Sequence, residues 1–242
     1  MKAVDGATFT VRRGSITSLI GPNGAGKTTA FNLVTGFTRA DSGSVRFQGQ
    51  DVTRRGPDQL ARAGMVRTFQ LTRVLGKMRV IENAMLAAND HPGERFVNAL
   101  VPRRWRHRET EVRKRAMEML DQVGLAAKAE DYAATLSGGQ RKLLELARAL
   151  MAEPTLVMLD EPMAGVNPTL GRQLLDYLAK LREERGLTVL FIEHDMEVVM
   201  GVSDEVVVMG EGRVITQAAP DEVRRDQRVI DAYLGAHGED AA

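Results

Sequence analysis

Gly21-Pro22-Asn23-Gly24-Ala25-Gly26-Lys27-Thr28 sets three glycines, a lysine and a hydroxyl in the order G-x-x-x-x-G-K-T. Glycines let a backbone turn tightly and lay bare N–H groups against an anion. The octapeptide follows the apolar run SITSLI and opens the helical run TTAFNLV, the strand–loop–helix setting that this pattern needs. It reads as a nucleotide-binding loop. Its backbone wraps the phosphate oxygens, Lys27 reaches the β- and γ-phosphates, and the Thr28 hydroxyl ligates Mg²⁺. Thr29, one residue further into the helix, is placed for the α-phosphate.

Two other stretches could do chemistry. TLVMLDEP ends an apolar run in adjacent carboxylates, Asp160 and Glu161. Like charges crowded at a strand end are poor for stability. A Mg²⁺ nearby resolves the cost, with Asp160 holding the metal or its water and Glu161 polarising an attacking water. Leu136-Ser137-Gly138-Gly139-Gln140 precedes the helical run RKLLELARAL. A small polar residue and two glycines at a helix start make a second phosphate nest. No lysine or threonine follows in clasping positions, so whose phosphate it holds is open at this point.

The elements that must position these residues follow from patterning. SITSLI, TLVMLD and LTVLFI are short apolar runs of the kind covered on both faces. AVDGATFTV and GSVRFQG alternate as half-buried antiparallel strands do, and DEVVVMG and GRVI around GEG read as a closing hairpin. Asn167-Pro168 is a good N-cap and first helical residue, with Leu170, Leu174, Leu178 and Leu181 along one face. Strand–helix alternation predicts an α/β fold with a largely parallel sheet. The stretch of residues 80–151 is mainly helical, with Ala116, Met119, Leu120 and Val123 as one apolar face. It reads as a helical subdomain inserted into a core of residues 1–79 and 152–242. Within it, residues 91–110 are basic and carry the only tryptophan, and they read as a solvated surface loop with short helical pieces.

The 242 residues carry 33 Lys+Arg against 32 Asp+Glu and no cysteine. That balance gives no electrostatic footprint for nucleic acid, and the missing thiols exclude disulfides, Cys-ligated zinc and thiol nucleophiles. No apolar run approaches the ~20 residues of a membrane span, and no signal peptide is evident. A soluble, intracellular protein is the expectation.

With the phosphate loop, LSGGQ, LDEP and a histidine after the next strand, the chain resembles the ATP-binding subunits of ABC transporters over essentially its whole length. The resemblance implies a P-loop NTPase (RecA-like) core, an antiparallel β subdomain and an inserted helical subdomain. It implies ATP and Mg²⁺ as cofactors, and ATP hydrolysis coupled to transport. Gln70 in VRTFQ matches the loop glutamine that reports the γ-phosphate and Mg²⁺ to the membrane subunits, and His194 in IEHD matches the γ-phosphate histidine. Glu161 becomes the catalytic base. Leu136–Gln140 becomes the signature that binds the ATP of a partner subunit, and Asn167 sits in the D-loop, where many members have aspartate. FNLVTGF, VIENAML, DEPMAGVNP, IEHDMEVVMGVSD and VIDAYLG narrow the resemblance to branched-chain amino acid importers.

The implied partners are a second ATPase subunit, identical or a paralogue, two transmembrane permease subunits and an extracytoplasmic substrate-binding protein. The implied place is cytoplasmic, peripheral on the inner face of the cell membrane. Urea or short-amide importers share much of the pattern. Lipid or lipopolysaccharide exporters are opposed by Asn167 and the basic insert, and ABC ATPases of DNA repair or translation by the lack of coiled coils and zinc cysteines. The family's adenine-stacking aromatic sits on a segment ahead of KAVDG, which this sequence does not include. Phe9 is a substitute in type, but its alternating position suits a core residue better.

Overall fold

The computed structural model describes residues 2–68, 74–88 and 106–236. Three short apolar runs become strands buried at every position: β1 (Ile16–Ile20), β5 (Leu156–Asp160) and β6 (Thr188–Ile192). They lie in one six-stranded sheet with β4 (Met65–Arg67), β7 (Glu205–Gly210) and β8 (Arg213–Ala218). The order is β4-β5-β6-β1-β7-β8, parallel throughout except for the β7–β8 hairpin. Glu211 and Gly212, at φ 48° and 77°, form the two-residue turn that closes this hairpin.

The chain divides into two compact units. The first holds residues 1–67, 155–162 and 178–242. Its helix α1 (Lys27–Val34) follows β1, and α2 (Pro57–Arg62) precedes β4. Phe31, Leu60, Met158 and Ile192 form part of the core against the sheet. A small antiparallel ribbon, β2 (Arg46–Phe47) and β3 (Gln50–Asp51), turns at Gln48–Gly49.

The alternation in residues 3–11 is not a paired strand. Ala7, Phe9 and Val11 do pack against the core. The Thr10 backbone, however, is satisfied by a side chain: its N–H donates to Gln217 Oε1, and its carbonyl accepts from Gln217 Nε2. One glutamine amide thus replaces a strand neighbour. Phe9 is a core residue, as its position suggests.

The second unit holds residues 68–154 and 163–177. Helices α3 (Val80–Met85), α4 (Arg106–Gln122) and α5 (Gly138–Met151) pack on one another. Val112, Ala116, Met119 and Leu120 supply the buried face of α4, and Leu143, Leu144, Ala147 and Leu150 that of α5. Helix α6 (Pro168–Arg185) begins in this unit. Asn167 caps it through its side chain, which accepts from the Thr169 N–H at 2.9 Å. Residues 91–105 of the basic insert lie outside the described residues, and 106–110 are the first turn and more of α4.

Candidate functional site

In a parallel sheet, all strands deliver their following loops to one edge, where ligands bind in open α/β folds. At the carboxyl ends of β1, β5 and β6 this edge gathers the phosphate loop, Asp160-Glu161 and His194. Gly26 has φ 93°, and a Cβ there would run into the Ala3 carbonyl oxygen, so only glycine fits. Helix α1 begins at the next residue with no side-chain cap and no acid in its first turn. Its free N–H groups and positive dipole end are therefore available to an anion. Asn23, Gly24 and Thr28 are exposed beside it, and Thr29 is half-buried.

Lys27 is 7% exposed, and its ammonium donates to the Gly21 carbonyl at 2.7 Å and to that of Pro22 at 2.9 Å. Burial pushes this lysine below its ordinary pKa, while the negative charges of Glu161 and Asp160 pull it back up. The cation is thus held inside the loop, with its counter-charges across the site.

Glu161 stands just past β5 at φ 50°, a left-handed conformation that costs a non-glycine residue on the order of 1 kcal/mol or more. Its N–H donates to the Ile192 carbonyl at 3.0 Å, which ties the residue to the end of the neighbouring β6. The same register brings His194 alongside, with Nε2 2.9 Å from Glu161 Oε1. The carboxylate accepts from the imidazole when that nitrogen carries the hydrogen. Asp195, next in sequence, caps α7 (Met196–Val202) by accepting from the N–H groups of Glu197 and Val198.

Asp160 is 3% exposed. Its Oδ2 accepts from Arg67 at 2.9 Å, whereas Oδ1 is buried and, among the described residues, has no hydrogen-bond partner. A buried, unsatisfied carboxylate oxygen is costly. A hard cation, or a water on one, would satisfy it, so the donor set fits Mg²⁺: one carboxylate together with the Thr28 hydroxyl. Gln70 lies outside the described residues.

The LSGGQ stretch belongs to the second unit. Ser137 is the N-cap of α5, accepting from the Gln140 N–H at 3.3 Å, while Gln140 Oε1 accepts from the Ser137 N–H at 3.0 Å. This reciprocal pair is a capping box, and the S-x-x-Q spacing is its sequence signal. Among the described residues, nothing accepts from the Ser137 hydroxyl. The two glycines have different duties. A Cβ on Gly138 meets nothing within 4 Å, but one on Gly139 would lie 2.6 Å from the Gly165 carbonyl oxygen and 3.1 Å from Val166 Cα. Gly139 is therefore what allows the segment before Asn167 to pack on the start of α5. Leu136 is buried, and its carbonyl accepts from Arg141 Nε.

The family described as "ABC transporter" matches residues 4–164. The chain belongs to the ATP-binding subunits of ABC transporters. A second family, described as "Branched-chain amino acid ATP-binding cassette transporter", matches residues 213–239 of this ABC ATPase. The high-affinity branched-chain amino acid transport ATP-binding protein BraF of Pseudomonas aeruginosa is 41% identical to it over 234 residues, 96% of this chain and 92% of BraF. A crystal structure of a nucleotide-free ATP-binding cassette from an ABC transporter superposes with a TM-score of 0.80 at 37% identity, covering 96% of this chain and 92% of that one. A dimeric cassette in a post-hydrolysis state bound to ADP and Pi superposes at 0.74 and 25% identity, covering 90% of each. This ABC subunit binds ATP and is an ATPase. Among its described residues, no helix is long and apolar enough to cross a membrane.

The contrast between the glycines makes a prediction. Gly139→Ala should displace the Gly165–Val166 segment and lower ATP hydrolysis on the order of 10- to 100-fold, the scale set by ångström misplacements. ATP affinity of the isolated chain should not change. Gly138→Ala should leave that segment where it is. Steady-state hydrolysis and equilibrium ATP binding on both variants check the distinction.

Proposed function

We propose that the chain hydrolyses ATP as one of a pair of cassettes and so drives import of branched-chain amino acids. The observation that carries the hydrolytic reading is the gathering of Lys27, Asp160 and the Glu161–His194 pair at one sheet edge. Lys27 and the first-turn N–H groups of α1 hold the β- and γ-phosphates, with Thr29 at the α-phosphate. Glu161 takes the proton of the attacking water, and His194 orients Glu161 and the γ-phosphate. Mg²⁺, when bound, neutralises charge developing on the phosphate oxygens, with Thr28, Asp160 and Gln70 as the residues that would hold it.

The signature serves the other cassette. The Ser137 hydroxyl and the N–H of Gly138 bind the γ-phosphate held by the partner's phosphate loop, and the D-loop at Asn167 packs beside it. Two ATPs then close the pair and hydrolysis reopens it. The motion reaches two permease subunits through Gln70 and the helical unit, and an extracytoplasmic binding protein delivers the substrate. The domains proposed from the family resemblance are a RecA-like core near residues 1–79 and 152–242 and a helical subdomain near 80–151, a division that differs from the two compact units at residues 68–79, 152–154 and 163–177. The chain works at the cytoplasmic face of the membrane as a peripheral subunit. Support for the substrate class comes from the C-terminal match over residues 213–239 and from the similarity to BraF.

The test is co-purification of the native assembly followed by ATPase assay in proteoliposomes. A binding protein that takes leucine and stimulates hydrolysis is the expected result. One that takes urea instead would overturn the substrate.

A further inference from the structure

Strand β4 ends in an arginine whose side chain is only 5% exposed. Its guanidinium makes contacts in three directions. Nη2 donates to Asp160 Oδ2 at 2.9 Å, and Nη1 donates to Asn32 Oδ1 at 2.7 Å and to Thr35 Oγ1 at 3.3 Å. Its carbon lies 5.3 Å from the Phe31 ring centroid and 6.0 Å from that of Phe37. Apart from Asp160, these partners all lie on α1 or just beyond it, the helix that begins at Lys27. Arginine and carboxylate often pair through both oxygens. Here Nη2 meets a single carboxylate oxygen while Nη1 turns to Asn32 and Thr35, and among the described residues Oδ1 has no hydrogen-bond partner. A lysine could not reproduce that planar division.

We propose that Arg67 is a positioning residue for the metal site: it locks the Asp160 carboxylate to the phosphate-loop helix and keeps Oδ1 turned out for Mg²⁺ or its water. This rests on the reading of Asp160 as the metal-side carboxylate. Partners of this kind, one shell behind the ligands, orient metal carboxylates and typically change metal affinity on the order of 10- to 100-fold when altered.

The experiment measures equilibrium ATP affinity of the full chain in Mg²⁺ and in EDTA, and takes the ratio. Arg67→Lys keeps the charge and loses the fork, so the ratio should fall about tenfold or more while affinity in EDTA is unchanged. Asn32→Ala, which removes one tether and no charge, should lower the same ratio to a lesser degree, and it decides the matter if Arg67→Lys fails to fold. Mn²⁺ binding followed by electron paramagnetic resonance should weaken in parallel. A wild-type ratio in both variants would overturn the role, as would equal losses with and without metal. Asp160→Asn separates the two levels. A lost ratio there with an intact ratio in Arg67→Lys removes only the Arg67 proposal, whereas an intact ratio in Asp160→Asn removes the metal reading beneath it.

Discussion

Glu161→Gln is expected to stop ATP turnover while ATP stays bound, trapping a closed, nucleotide-loaded pair. The amide is nearly isosteric and can still accept from His194 Nε2, so the 2.9 Å contact and the tie of the Glu161 N–H to Ile192 should survive. What is lost is the ability to take a proton from water, and positioned general bases contribute on the order of 10²- to 10⁴-fold. The left-handed backbone at φ 50° sharpens the expectation, because strain that the surroundings hold in place gathers at functional positions. Steady-state hydrolysis, set beside retention of labelled ATP by the assembled pair, measures the effect. Wild-type turnover in this variant would refute Glu161 as base.

Lys27→Ala should remove tight nucleotide binding. The ammonium is nearly buried and bridges two loop carbonyls, so its loss takes away both a phosphate partner and the clasp across the loop. Two of the three ammonium hydrogens go to loop carbonyls and one is left for phosphate. A hydrogen bond to a charged group is worth about 1.5–3 kcal/mol, so the loss is on the order of 10- to 100-fold from that contact alone. Equilibrium binding of ATP to the isolated chain checks it. Burial also gives a pH signature. Lys27 sits below the ordinary lysine pKa, so its charge, and with it the affinity, is present at lower pH and is lost as pH rises through that depressed value. In a binding titration against pH, the alkaline fall should therefore come earlier than an exposed lysine would give.

Much of this site is legible in the residues because its parts are local. A phosphate loop needs its glycines, lysine and hydroxyl in sequence, and buried parallel strands need continuous apolar runs, so β1, β5 and β6 and the loops after them can be read directly. The short strand β4 is less legible, since its last residue is an arginine and buried arginines pattern like surface ones. Its role depends on Asp160, 93 positions away, which no local spacing announces. Residues 3–11 show the opposite failure. Their alternation is real in burial, but Gln217, more than two hundred residues on, takes the place of a strand neighbour.

LSGGQ divides the same way. The capping box between Ser137 and Gln140 is a four-residue pattern and could be found from spacing alone. The separate duties of Gly138 and Gly139 could not, because only packing brings Gly165 against one and nothing against the other.

The central claim is that Leu136–Gln140 acts on a partner's nucleotide rather than on the chain's own, and Ser137→Arg tests it most directly. The substitution removes a helix cap worth about 1 kcal/mol, which the fold should tolerate, and places a long side chain where a γ-phosphate is expected. The measurement is ATP hydrolysis by the assembled pair, normalised to the ATP affinity of the isolated variant chain. The account predicts wild-type affinity in isolation and hydrolysis lowered by on the order of 100-fold, as for loss of a transition-state donor. Wild-type hydrolysis by the pair, or an isolated-chain affinity as weak as that of Lys27→Ala, would contradict it.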